Sequence, residues 1–166
     1  MKNTFSLKKK LAIVTGSGRG IGRSLSLALA KNGCDIILAA CSSRELEEVN
    51  AEISLLGRIC YSFILDVKNV KDIKSFYAKL KKQNLKPNIL INNAGIEEVR
   101  DSEKVDEKLW DKILDTNLKG AFFNSRYFAT QLKNNNMIGS IINLGSLSSS
   151  IGIPTAVAYT SSKSGI

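Results

Sequence analysis

The chain carries four glycines within seven residues, Gly16, Gly18, Gly20 and Gly22, placed directly between an apolar run and an amphipathic one. The run before them, Leu11, Ala12, Ile13 and Val14, is apolar at every position, as expected of a parallel strand covered on both faces. The stretch after them, residues 20–32, offers Leu25, Leu27, Ala28 and Leu29 as a buried side and stops at Gly33, so a strand passes through a glycine turn into a helix. Without Cβ atoms the turn is sharp and open to a pyrophosphate, and the free N–H groups and dipole of the helix start favour its charge. The strict dinucleotide pattern G-x-G-x-x-G fails, because a start at Gly16 requires glycine where Ile21 stands; the pattern present is T-G-x-x-x-G-x-G over Thr15, Gly16, Gly20 and Gly22. Nucleotide binding and a plain tight turn both use these residues, and the flanking strand and helix supply the context that nucleotide binding requires. A P-loop is excluded, since no Gly-Lys-Ser/Thr follows.

With 166 residues, 43% of them hydrophobic, the chain has enough material for one core and too little for two, so residues 1–166 are expected to form a single domain. No run approaches the roughly eighteen apolar residues of a membrane span. Residues 1–10 carry charge with no apolar stretch behind them, and a cytoplasmic protein is expected, with no membrane partner. Cys34, Cys41 and Cys60 are odd in number, show no C-x-x-C spacing and fall in or beside strands, which points to reduced core residues. Histidine is absent, which removes Ser-His-Asp triads and His-ligated metal sites together. No metal is expected, and proton chemistry falls to Tyr, Lys, Ser, Asp or Glu.

The formal charge of +9 is concentrated at Lys8, Lys9 and Lys10 and along Lys71, Lys74, Lys79, Lys81, Lys82 and Lys86. The second group shares a helix with Val70, Ile73, Phe76, Tyr77 and Leu80, so it is read as a solvated helix face and no nucleic-acid partner is expected. Attraction to an acidic partner or a phosphorylated cofactor stays open.

Strand and helix alternate along the rest of the chain. Strands are expected over residues 35–41, 59–65, 88–92 and 140–144, with helices over residues 43–56, 70–82, 107–115, 117–134 and from 157 onward. This pattern predicts an α/β fold, a Rossmann-like doubly wound parallel sheet in three α/β/α layers, with ligands at the carboxyl ends of the strands. At those ends lie the glycine turn, Ala40 with Cys41, Asp66, Asn92 through Gly95, and Ser146. Tyr159 and Lys163, four apart on a helix, share one face. A free phenol has a pKa of about 10, and a neighbouring ammonium favours phenolate, which makes Tyr159 a workable acid or base nearer neutrality. An exposed helix pair is the plainer reading of the same spacing.

Thr15-Gly16-x-x-x-Gly20-Ile21-Gly22, then Asn92-Asn93-Ala94-Gly95, then Asn117, then Ser146 with Tyr159-x-x-x-Lys163, in this order and spacing, resemble the short-chain dehydrogenase/reductase family, nearest its 3-oxoacyl-acyl-carrier-protein reductases. Each motif alone is weak; the ordered set is specific and spans the chain from about Lys9 onward. The resemblance implies an oxidoreductase moving hydride between a nicotinamide cofactor and a carbonyl, alcohol or acyl-thioester substrate. Tyr159 would be the acid/base, Lys163 would lower its pKa and hold the nicotinamide ribose, Ser146 would orient the carbonyl and Asn117 would hold a relay water. Thr15, Gly16, Ser17, Arg19, Gly20, Ile21, Gly22, Cys41, Asp66, Val67, Asn93, Ala94 and Gly95 would border the cofactor, with Asp66 at the adenine and Asn92 beside them. Asn117 as a helix cap and Asp66 as a strand end are the alternatives.

NADP(H) is expected over NAD(H). An NAD site places an acid about 20 residues past the glycines to bind the ribose 2′-hydroxyl, whereas Ala39, Ala40 and Cys41 stand there. Arg19, and Arg44 beyond it, are candidates for a 2′-phosphate. Cys41 departs from the arginine often found at its position in NADP-dependent relatives. The resemblance also implies further strands and a substrate loop beyond Ile166, so an incomplete domain that is not active by itself is expected, with a homodimer or homotetramer in the intact form. A nucleotide-binding protein without catalysis is the competing reading.

Overall fold

The computed structural model describes residues 6–166; residues 1–5, part of the segment without an apolar leader core, lie outside the described residues. Five parallel strands, β1 (Leu11–Thr15), β2 (Asp35–Ala40), β3 (Cys60–Ile64), β4 (Ile89–Asn92) and β5 (Ser140–Asn143), form one sheet in the order β3-β2-β1-β4-β5. The strand order reverses beside β1, so the crevice beyond the carboxyl ends of β1 and β4 is the switch point at which doubly wound sheets bind ligands.

Period-two alternation explains why the strands are apolar throughout. Ile13, Ile37, Ala39 and Leu90 point to one face, where Ile73, Phe76, Tyr77, Leu80 and Phe128 cover them. Ala12, Ile36 and Leu38 point to the other and meet Ala30, Leu46, Val49 and Ile53. Helices α1 (Gly20–Lys31) and α2 (Ser43–Leu55) build the second layer, and α3 (Val70–Lys82) builds the first with a later helix. Burying each Ile, Leu, Val or Phe among them stabilises the fold by roughly 1.5–3 kcal/mol, and each Ala by less. On α3, Ile73, Phe76, Tyr77 and Leu80 are buried, while Lys71, Lys74, Lys79, Lys81 and Lys82 face solvent.

Two expectations are corrected. The helices expected over residues 107–115 and 117–134 are continuous: α4 (Glu107–Leu114) runs through a π-helical turn, Asp115–Lys119, into α5 (Gly120–Asn134). No Gly or Pro interrupts Asp115, Thr116 and Asn117, so the backbone absorbs an extra residue in a wide turn instead of breaking. Asn117 sits inside that turn and does not cap a helix. The second correction concerns the cysteines: Cys34 is buried and Cys60 half-buried, but Cys41 is exposed. It lies one residue past the end of β2, where the sheet opens into the crevice. All three thiols are free, and burial raises Cys34 to about 11 and Cys60 to about 12.

β5 forms the open edge of the sheet, with Ile141 40% and Ile142 47% exposed. The chain then makes a single 3-10 turn, Leu147–Ser149, and closes with α6 (Val157–Ser164).

Candidate active site

A cleft of about 810 Å³ lies along the carboxyl ends of the strands, with the glycine turn at one end and Tyr159 and Lys163 at the other. Gly16 has φ +62 and Gly20 φ +55, the left-handed region that glycine enters without cost. A Cβ on Gly22 would stand 2.1 Å from the Gly16 carbonyl oxygen, so α1 packs against the turn only through a residue without a side chain. The first turn of α1 carries neither a side-chain cap nor an acidic residue. Its backbone N–H groups therefore face the cleft unblocked, a polar cradle suited to an anion.

Thr15 and Asn93 tie this turn to β4. Thr15 Oγ1 donates to Ile91 O at 3.3 Å and accepts from the N–H groups of Asn93 and Ala94 at 3.0 and 3.1 Å. Asn93 Nδ2 donates to the carbonyls of Thr15 and Gly16 at 2.9 and 3.1 Å. The hydroxyl of Ser17, fully buried, accepts from Ala39 N–H at 2.9 Å. Thr15 and Ser17 thus hold the turn in place from behind, while Gly16, Arg19, Gly20, Ile21, Gly22, Cys41, Asp66, Val67, Asn93, Ala94 and Gly95 line the cleft itself. Asn92 points away, its amide donating to Ser125 Oγ at 2.9 Å and Asn143 Oδ1 at 2.8 Å. Asp66 accepts from Lys68 N–H at 3.1 Å, so it ends the strand with an Asx turn and lines the cleft at once.

At the other end, Lys163 is 7% exposed. Its Nζ donates to Leu144 O at 2.7 Å and lies 5.8 Å from the Tyr159 ring centroid. Burial lowers its pKa from the usual lysine value. Asn117, also buried, accepts from Ile96 N–H at 2.8 Å and donates to Ile96 O at 2.9 Å and Ser162 Oγ at 3.0 Å. Both its amide hydrogens are used. A Cβ on Gly95 would lie 3.4 Å from Asn117 Oδ1 and 3.7 Å from Lys163 Nζ, so this glycine lets β4's exit loop pass beside both groups. Ser146 caps the 3-10 turn: its hydroxyl accepts from Ser148 N–H at 3.3 Å and Ser148 Oγ at 2.8 Å. Its hydroxyl is thus engaged within the turn, and Leu144 and Gly145 form the cleft wall at that point.

Two side chains differ from expectation at the ribose end. Arg44 pairs with Glu48 one helical turn along, 90% exposed on the outside of α2, because its position faces solvent and not the cleft. Glu45 lines the cleft. It was not anticipated, although Ser42-Ser43-Arg44-Glu45 has the S-x-x-E spacing that fixes the third helical residue near the strand end.

A switch-point cleft with a bare helix start at one end and a Tyr-x-x-x-Lys pair at the other defines a Rossmann-like, nucleotide-binding class of α/β protein. Comparison with known proteins narrows this further: the chain belongs to the short chain dehydrogenase family of oxidoreductases, whose family model matches residues 10–166. It is 40% identical to a 2-dehydro-3-deoxy-D-gluconate 5-dehydrogenase of Bacillus subtilis, over 98% of this chain and 63% of that protein. It is 35% identical to a 3-oxoacyl-acyl-carrier-protein reductase of Staphylococcus aureus, over 95% of this chain and 64% of that one. Among solved structures it matches a protein described as a short-chain alcohol dehydrogenase from Sinorhizobium meliloti, with TM-score 0.92, 43% identity, and 97% of this chain against 64% of that one. An alcohol dehydrogenase from Thermococcus sibiricus complexed with 5-hydroxy-NADP matches with TM-score 0.87 and 27% identity, over 94% of this chain and 66% of that one. The chain thus spans about 64% of the length of curated relatives.

Proposed function

We propose that residues 10–166 form the nucleotide-binding part of a single oxidoreductase domain that binds NADP(H) in preference to NAD(H) and acts on a carbonyl or alcohol substrate. The observation that carries this reading is the buried Lys163 ammonium beside the Tyr159 ring, at one end of a cleft whose other end is the bare start of α1. The glycine cradle supports the cofactor assignment: a Cβ at Gly16 would collide with Ala94 and one at Gly22 with the Gly16 carbonyl, so glycine at both positions draws the turn tight and leaves its N–H groups open to a pyrophosphate. Gly16, Gly20, Ile21 and Gly22 would hold that pyrophosphate; Asp66 and Val67 would border the adenine, and Asn93, Ala94, Gly95 and Lys163 the nicotinamide riboside. Arg19, 86% exposed at its rim, would meet a 2′-phosphate.

A nicotinamide cofactor held by these residues would supply hydride to the substrate carbon, or accept it in the reverse direction. Tyr159 then gives its phenolic proton to the carbonyl oxygen, so that C=O becomes CH–OH and a phenolate remains. Lys163 stabilises that phenolate, and its bond to Leu144 O fixes the ammonium beside the ring. Ser146 orients the carbonyl after its hydroxyl turns from Ser148. Asn117 positions the loop at Ile96 against α6 through its amide; with both amide hydrogens committed, a relay water would be held through an oxygen of Asn117 as acceptor.

A keto-acid of the sugar series and a 3-oxoacyl thioester, after the names of the relatives, are the substrates to try first. The three free thiols fit a reducing, cytoplasmic setting, and a homodimer or homotetramer is the assembly proposed. Tyr159→Phe in the intact form of the protein tests the reading: turnover of NADPH with these substrates is expected to vanish, while NADPH binding stays within about twofold. Undiminished turnover refutes Tyr159 as the acid; absence of nucleotide binding by the unaltered protein refutes the whole assignment.

A further inference from the structure

The third residue of α2 departs from its usual place. Ser42 Oγ accepts from Glu45 N–H at 3.3 Å, which is half of a capping box. The Glu45 carboxylate, however, does not fold back to Ser42. It crosses to the glycine turn, where a Cβ on Gly18 would stand 2.7 Å from Glu45 Oε2 and 2.8 Å from Glu45 Cβ. There Glu45 Oε1 lies 3.9 Å from Arg19 Nε.

This contact occupies the corner lined by Cys41 and Ser42, at the carboxyl end of β2. Dinucleotide folds read the adenosine ribose at that corner: a carboxylate accepts from a free 2′-hydroxyl, or an arginine meets a 2′-phosphate. Here both groups are present and face each other, whereas the strand end itself, Ala39, Ala40 and Cys41, supplies neither. Gly18 makes the arrangement possible, since any side chain at that position would displace the carboxylate.

Building on the cofactor reading above, we propose that Glu45 and Arg19 form an opposed selector for the adenosine 2′ position. Glu45 accepts from the 2′-hydroxyl of NAD(H) and, through Arg19, restrains the guanidinium from a 2′-phosphate. A 2′-phosphate carries between one and two negative charges, as other phosphate monoesters do, so Glu45 repels it while Arg19 attracts it. The two effects oppose each other, and the site favours NADP(H) by less than about tenfold. The pair is exposed, at 86% and 39% of its side-chain surface, so solvent screens it and each single change shifts affinity only several-fold.

Titration of the purified protein with NADPH and with NADH, followed by nucleotide fluorescence without substrate, tests the selector apart from turnover. Glu45→Gln is expected to raise the NADPH-to-NADH affinity ratio by about five- to tenfold, and Arg19→Ala to lower it. Gly18→Ala, which displaces the carboxylate without removing its charge, is expected to raise the ratio as Glu45→Gln does, with a thermal melt confirming that the variant is folded. A ratio in Glu45→Gln within twofold of the unaltered protein, with both nucleotides still bound, overturns the selector and leaves the cofactor assignment intact. Failure of the unaltered protein to bind either nucleotide refutes the cofactor assignment and the selector with it.

Discussion

Asn117 hydrogen-bonds both backbone groups of Ile96, accepting at 2.8 Å and donating at 2.9 Å, so a side chain in the middle of a helix closes on a loop as a strand would. The second amide hydrogen reaches Ser162 on α6, and the π-helical turn at Asp115–Lys119 supplies the angle that makes the three contacts simultaneous. Loop, long helix and α6 are thereby locked at the point where Lys163 enters the cleft. Asn117→Ala leaves the Ile96 N–H and O without partners in a half-buried setting at the cleft, where each such group costs towards the lower end of about 1–3 kcal/mol. A loss of roughly 1–3 kcal/mol in the urea-unfolding free energy is expected. A loss under about 0.5 kcal/mol would show that the loop finds other partners.

Lys163 makes a prediction in pH. Burial holds its pKa below the free value of 10.5, so between the lowered value and 10.5 the unfolded chain binds the proton more tightly than the folded one. Stability contributed by this residue therefore rises with pH across that window, and the cost of its buried charge is fully present below it. The stability difference between the unaltered protein and Lys163→Met, measured by urea unfolding, is expected to shift in favour of the unaltered protein as pH rises towards 10.5. Taking the difference cancels the thiols and phenols that titrate in the same range. A difference independent of pH would contradict the effect of burial.

The glycines of the turn are not equivalent. Gly22→Ala would put a Cβ 2.1 Å from the Gly16 carbonyl oxygen and 2.5 Å from Asn93 Nδ2, which neither α1 nor the turn can accommodate unmoved. Gly20→Ala meets nothing within 4 Å and suffers only from its φ of +55, a cost of about 1–2 kcal/mol. Thermal melts are expected to rank Gly22→Ala well below Gly20→Ala, with nucleotide binding lost in the former. Equal effects would mean that backbone strain, and not contact, governs the turn.

The free edge of β5 exposes Ile141 and Ile142 beside unpaired backbone groups, a template for pairing with another chain. Ile142→Lys is expected to lower concentration-dependent light scattering while changing the unfolding free energy by no more than about 0.5 kcal/mol. Unchanged scattering would direct attention to the other exposed apolar residues, Ile138 and Leu147.

The chain's own pattern determined the fold. Apolar strands alternating with amphipathic helices, and glycines between β1 and α1, are local signals, because strand pleat, helical period and backbone freedom act over a few residues. Tyr159 and Lys163 were legible for the same reason: a spacing of four on a helix fixes a common face. Contacts between distant segments followed no such rule. Asn117 satisfied the spacing of a helix start, yet only the continuous passage of α4 into α5 decided that its amide meets Ile96 and Ser162. Ser146 stood at a strand end as expected, but the turn after it decided that its hydroxyl faces Ser148. Glu45 carried no expectation of its own, and only the approach of Gly18, far away in sequence, set its carboxylate against the glycine turn. Side chains with several partners within reach choose by geometry that the whole sheet imposes, so tertiary structure alone decided which of these polar groups face a ligand and which hold the scaffold.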